Sequence, residues 1–262
     1  MESFSSAFGA SVPRAAFRGL TRLVQARVDR FGRAIVPGAL VGRPISIDRL
    51  ICPLRYDLWI RTEFIHLLRN AWALYEADLD AFCERPEARA YFIWFKEVEC
   101  ARFHPVLYPH EGLLRRRFLR RVHDTARLWR SMTTEGYDRS KPIRLVSGRS
   151  IGTVNGKRVA ARLFAGDGCH RLACLYDAGH TRLEPGHYEV ELLRRFQPLD
   201  NTAILVPALQ LDRAAYLRFI SRFYCDGTPA STVDEIRRQV AAHEPQLLPE
   251  LESVLAYDLA RV

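Results

Sequence analysis

The stretch RLFAGDGCHRLACLYDAGH, residues 162–180, constrains the fold of this chain more than any other. An apolar run, Leu163-Phe164-Ala165, enters a turn holding Gly166 and Gly168. It leaves as a helical pattern that starts at about His170 and stops at Gly179. A strand running through a glycine turn into a helix leaves several backbone N–H groups without intrahelical acceptors. Those donors and the positive end of the helix dipole form an anion site. Gly166 and Gly168 allow a tight bend and close approach to a ligand. Arg171 adds a bidentate contact to a phosphate, and His170 can donate to a phosphate oxygen or take a proton. The plainer alternative makes Asp167 a helix N-cap, His170 and Arg171 solvated first-turn residues, and Leu172 and Leu175 core. His180 and His187 share no face with His170, so no metal site is expected.

Elsewhere the pattern alternates short strands with helices. RPISIDRLICPLRYD reads as a short strand ending at Pro53, followed by aromatic-rich helical segments through residue 103. Their aromatics, among them Trp72, Tyr75, Tyr91 and Trp94, are expected to be core rather than a substrate lid. Phe118, Val122, Thr125, Trp129 and Met132 fall on one face of a long helix whose other faces carry arginine. KPIRLVSG is a strand, GTVNGKRVAARLFAGDG a hairpin turning at NGK, and HYEVELLRRF a further strand. Asp200, Asn201 and Thr202 read as a turn that caps a helix, with a pocket lining as the alternative. Helical patterns at 213–225, 231–243 and 246–259 follow, with Asp212 before the first, Ser231 or Thr232 before the second, and Pro245 before the third. The element order is that of an α+β or α/β chain with a small sheet and a large helical share, and α+β is the fold class expected.

The chain has 262 residues, ample for a substantial core. No apolar run approaches the ~20 residues of a membrane span. The N-terminus lacks a secretory pattern, which leaves an organelle-targeting or unstructured leader as the lesser reading and a cytoplasmic protein as the expectation. Six cysteines without a CxxC pair argue against a disulfide framework and a zinc finger. The formal net charge is +9, carried almost wholly by arginine, with Lys96, Lys141 and Lys157 the only lysines. The excess concentrates in residues 14–43 and in LLRRRFLRRVHDTARLWR. Such surfaces attract phosphate in nucleotides, nucleic acid or lipid headgroups alike.

FAGDGCHRLACLYDAG resembles the signature of the ParB/sulfiredoxin superfamily, in which a strand enters a Gly-x-x-x-Arg turn around nucleotide phosphates. Gly168-Cys169-His170-Arg171 is similar to the sulfiredoxin form, whose cysteine is the catalytic thiol. Asp167-Gly168-Cys169-His170-Arg171 is equally similar to the form in ParB-like kinases of free serine. RLWRSMTTEGYDRSKPIRLV resembles the helix-Gly-x-x-x-Pro-Ile segment preceding the nucleotide turn, and LYPHEGLL resembles the Pro-His-Glu stretch of the kinases. The resemblance covers residues 103–194, or begins at PISIDRL with a long insertion.

The resemblance implies a small mixed sheet of a ParB/sulfiredoxin-like domain with large helical insertions and a helical C-terminal extension. Residues 1–43 would be a partly helical leader, 44–198 the nucleotide-binding domain with its helical insertion at about 62–132, and 199–262 the extension. Gly166, Asp167, Gly168, Cys169, His170 and Arg171 would bind the nucleotide phosphates. Glu111, His170 and Cys169 are the candidate catalytic residues. The implied function is a nucleotide-dependent phosphotransferase acting on a small hydroxyl- or amine-bearing molecule. ATP or ADP and Mg²⁺ are its cofactors, with Glu111 as base and Asp167 or Glu111 near the metal. On residues alone, Glu111 reads as a helix-start carboxylate favoured by the dipole; only beside a matching nucleotide turn do the two readings weigh equally. A ParB-like nucleic-acid-binding protein or nucleotide switch is the first alternative. The charge permits it, but no basic recognition helix follows the turn. The second alternative is a sulfiredoxin-like reductase using Cys169, which the helix start and the neighbouring His170 and Arg171 would make more reactive.

Overall fold

A computed structural model describes residues 34–148, 152–193 and 198–262. The amphipathic stretch expected around residues 17–31 lies outside them.

The chain is mixed α+β with a small mixed sheet. The strands are β1 (Ala34–Pro37), β2 (Ile45–Ser46), β3 (Ile143–Gly148), β4 (Gly152–Val154), β5 (Lys157–Val159), β6 (Leu163–Asp167), β7 (Arg182–Leu183) and β8 (Tyr188–Leu193). The longer helices are α1 (Tyr56–Asn70), α2 (Pro86–Trp94), α3 (Glu111–Thr134), α4 (Cys169–Asp177), α5 (Asn201–Ala208), α6 (Arg213–Tyr224), α7 (Val233–His243) and α8 (Leu248–Asp258). The main sheet runs β1-β8-β3-β6. Its central pair β8 and β3 is parallel, and both edge strands are antiparallel to their neighbours. The parallel pair spans the connection that contains α4.

Apolar alternation places Ile143, Leu145, Phe164, Tyr188 and Val190 in the core. Helix α4 presents Leu172, Ala173, Cys174 and Leu175 to the interior and packs against α1. The aromatics of the insertion are mainly core, as expected. Tyr91 stacks on Phe64 with centroids 3.9 Å apart, and Trp94 is fully buried.

Four local readings change. First, the sheet begins inside the segment read as a leader, since β1 pairs with β8 from Ala34↔Leu192 to Pro37↔Glu189. Second, the strand expected to reach Pro53 is only Ile45–Ser46. Beyond it the chain turns, and Ile47, Leu50, Ile51 and Leu54 are buried through those turns rather than by pleating. Third, the hairpin closes as β4 and β5 alone. The chain then breaks at 160–162 so that β6 can pair with β3. Fourth, the helical stretch after α2 loosens into a π-helix at Phe95–Cys100, a form found mostly as single turns near functional sites.

The hairpin is pinned to the C-terminal helices by a fully buried lysine. Lys157 Nζ lies 3.0 Å from Asp200 and 2.5 Å from Asp258, and all three side chains are shut from solvent. Asp200 also caps α5 by accepting from the Ala203 amide, which is the capping role its sequence suggested.

Candidate active site at the glycine turn

The turn is set by two close approaches. A Cβ on Gly166 would stand 2.6 Å from the Val146 side chain, so β6 can lie against β3 only with glycine there. Gly168 adopts φ +78° as the N-cap of α4, and a Cβ would meet the Arg171 guanidinium at 2.9 Å. Asp167 is therefore not the N-cap. Its carboxylate instead accepts from the Gly168 amide at 2.6 Å. Leu172 N–H already bonds to the Gly168 carbonyl. The N–H groups of Cys169, His170 and Arg171, in the first turn, have no intrahelical acceptor.

This turn opens into a two-chambered cavity. One chamber, ≈ 540 Å³, is lined by Gly166 through Arg171 together with Arg61, Glu99, Arg121 and His104. The other, ≈ 450 Å³, lies under β6 against Arg55, Asp57, Trp94, Arg144 and Asn201. Arg61, Glu99, Phe103, Gly166, Asp167 and Cys169 belong to both walls. Each volume suits a small molecule. A separate groove of ≈ 530 Å³ between α6, α7 and α8 lies apart from the turn, and its Arg237 is already tied to Asp234 and Glu252.

The floor of the cavity is a buried ion network that sequence reasoning missed. Asp57 accepts from Arg55 Nε at 2.8 Å and Nη2 at 3.0 Å, and Arg61 closes onto the same carboxylate. Burial opposes that charge, but the Arg55 and Arg61 guanidiniums win and hold the Asp57 carboxyl well below the usual range. Arg55 reaches onward to the Ala165 carbonyl and, at 3.3 Å, to Cys169 Sγ. The Arg61 guanidinium lies 3.9 Å over the Trp94 ring. Asp57 and Arg61 stand four residues apart, a helical pairing visible in YDLWIR. Nothing local in the sequence announces the reach of Arg55 to β6.

The structure separates the residues expected at the site. Gly166, Asp167, Gly168, Cys169, His170 and Arg171 all line the cavity. His170 is not a solvated first-turn residue. Its Nε2 hydrogen-bonds with the Tyr91 hydroxyl at 2.6 Å, and its ring meets Tyr91 and Trp94 edge to face. Burial first, then Arg61 and Arg121, push its pKa well below that of a free imidazole, so the ring is neutral. Arg171 folds back to donate to the Lys141 carbonyl while its guanidinium stays beside Gly168. Glu111 is exposed at the start of α3 and lines neither chamber. The α3 residues that reach the cavity are Arg121 and Leu128, the nearer about 15 Å further along the helix axis. Glu99, paired with Arg121, is a carboxylate that does line both chambers. Asn201 lines the chamber under β6, so the capping stretch 200–202 also contributes one residue to a pocket wall.

No family model, no curated protein and no solved structure matches this chain.

Proposed function

We propose that the chain is a nucleotide-dependent phosphotransferase, built on a ParB/sulfiredoxin-like turn, that acts on a small hydroxyl- or amine-bearing molecule. The observation that carries this reading is one cavity shared by the first turn of α4 and by the guanidiniums of Arg61, Arg121 and Arg171. Helix-terminal N–H donors and guanidiniums are the groups that stabilise a transferring phosphoryl. On this reading the amides of residues 169–171 hold the phosphates of ATP or ADP. The chamber under β6 takes the acceptor. Glu99, rather than the remote Glu111, orients the acceptor hydroxyl and receives its proton.

Asp167 is exposed at the cavity wall, with one hydrogen bond to backbone. A single carboxylate suits Mg²⁺, which keeps several waters and leans on substrate phosphates instead of a protein cage. When bound, the ion supplies charge neutralisation across the phosphate oxygens.

The reading is tested by ATP or ADP consumption against a panel of hydroxylated and amine-bearing metabolites. An acceptor-dependent turnover that falls at least a hundredfold in Glu99→Gln, with nucleotide binding retained, is the expected result. Turnover equal in Glu99→Gln removes Glu99 from the mechanism, and no turnover with any acceptor counts against the class.

The contact between Arg55 and Cys169 favours a second reading. A donor at 3.3 Å from a sulfur on the first residue of a helix is the setting of reactive cysteines. A thiol reductase would lose all activity in Cys169→Ser, whereas the phosphotransferase would keep it.

A further inference from the structure

Beside the cavity mouth, and sharing Phe103 with its wall, lies a surface whose exposed tips Val106 and Leu113 have no part in the phosphotransferase reading. Phe103, Val106 and Leu113 are 62%, 78% and 42% exposed, three of the few large apolar side chains left in solvent among the described residues. They are held out, not loose. Arg117 donates to His104 at 3.0 Å, the Tyr108 hydroxyl donates to Glu97 at 2.8 Å, and Pro105 opens a 3₁₀ turn. Along α3, Leu113, Arg116, Arg117 and Arg120 share one exposed stripe at steps of three and four. Arg115 pairs with Asp80 and Arg121 with Glu99. Among the described residues, Arg102, Arg116, Arg117 and Arg120 have no carboxylate partner. Glu111 is the one acid between residues 101 and 123.

We propose that this lip, residues 101–120, seats on an anionic lipid surface. Charge complementarity selects an anionic partner; Phe103 suits a base as well as a lipid, and it is the aliphatic tips Val106 and Leu113 that favour lipid over nucleic acid. Val106 and Leu113 can neither stack on a base nor bond to a phosphate, but they can enter the headgroup boundary while the arginines meet lipid phosphates. Because Arg102, Phe103 and His104 also line the cavity, docking would turn the mouth toward the membrane. The proposal stands apart from the phosphotransferase reading.

The test is co-sedimentation of the full chain with vesicles of phosphatidylcholine alone or mixed with phosphatidylserine. Binding to the mixed vesicles and not to the neutral ones is expected, falling about fivefold for each of Arg116→Gln and Arg120→Gln. Val106→Ser with Leu113→Ser should remove most binding while the melting temperature is kept, since both side chains are exposed. The proposal is overturned if the mixed vesicles are not bound. It is equally overturned if the serine variant binds them undiminished, or if duplex DNA displaces them and binds the serine variant as well as the wild type.

Discussion

Arg55 Nη2 stands 3.3 Å from Cys169 Sγ, joining the start of α1 to the first residue of α4 across 114 positions of sequence. The contact brings the one half-buried thiol of the chain to the cavity wall, whereas Cys52, Cys83, Cys100, Cys174 and Cys225 are buried. Burial pushes those five upward, Cys174 to about 12. A thiol reagent added to the native protein should therefore label Cys169 first, and Cys169→Ser should abolish the fast phase. If nucleotide phosphates sit on the turn, ADP slows that labelling. Peptide mapping after a short pulse reads both effects.

Asp57 lies between two guanidiniums that burial would otherwise leave uncompensated. Asp57→Ala should cost about 3–5 kcal/mol in a denaturant melt, because it strands Arg55 and Arg61. The depressed carboxyl also fixes a pH dependence. Its stabilisation is complete above the unfolded value near 3.8 and disappears as pH falls through the lower folded value. An acid titration of stability should lose part of its slope below pH ~4 in a double Arg55→Met, Asp57→Leu variant.

His170 gives the opposite residue type the same sign. Its folded pKa lies below the free value of 6.5, so the unfolded chain binds the extra proton. Stability should fall as pH drops below about 6.5. His187, lowered by burial and then by His180 and Arg139, adds to that slope. His170→Gln should flatten the profile between pH 6.5 and 5, as followed by urea midpoints across that range. A profile unchanged by the substitution would mean that the ring titrates as freely as in the unfolded chain.

Lys157 ties the β4–β5 hairpin to α5 and α8 through Asp200 and Asp258. Removing the ammonium leaves two carboxylates facing each other without solvent. Lys157→Met should therefore cost about 3–5 kcal/mol, a large share of a domain's stability. Tyr216, whose hydroxyl donates to Asp258 at 2.7 Å, should remain protonated through alkaline titration, held well up by burial and by that carboxylate.

The glycine turn was legible because its signals are local: apolar residues, two turn glycines, a helical period and the stop at Gly179, all within 19 residues. The helix face from Phe118 to Met132 and the helix start at Asp212 were legible for the same reason. What was missed depends on distant partners. The strand Ala34–Pro37 has four residues and no alternation to mark it, and it becomes a strand by pairing with β8. His170 turns inward because Tyr91 and Trp94 arrive from the insertion. Glu111 kept its local character as a first-turn carboxylate, but the rise of α3 carries it away from the turn. The network under the turn was hidden because Arg55 finds Ala165 and Cys169 only through the tertiary fold.

Nucleotide binding at the turn is read most directly by a thermal-shift comparison with ATP, ADP, CTP and GTP, each with and without Mg²⁺. A ligand that binds only the folded state raises the melting temperature by mass action. Stabilisation by an adenine nucleotide in the wild type and its loss in Arg171→Ala is the expected result, with the variant's own fold checked by circular dichroism. A shift confined to CTP would point to a ParB-like switch. No shift with any nucleotide would contradict a phosphate site here and reduce the turn to the packed start of α4.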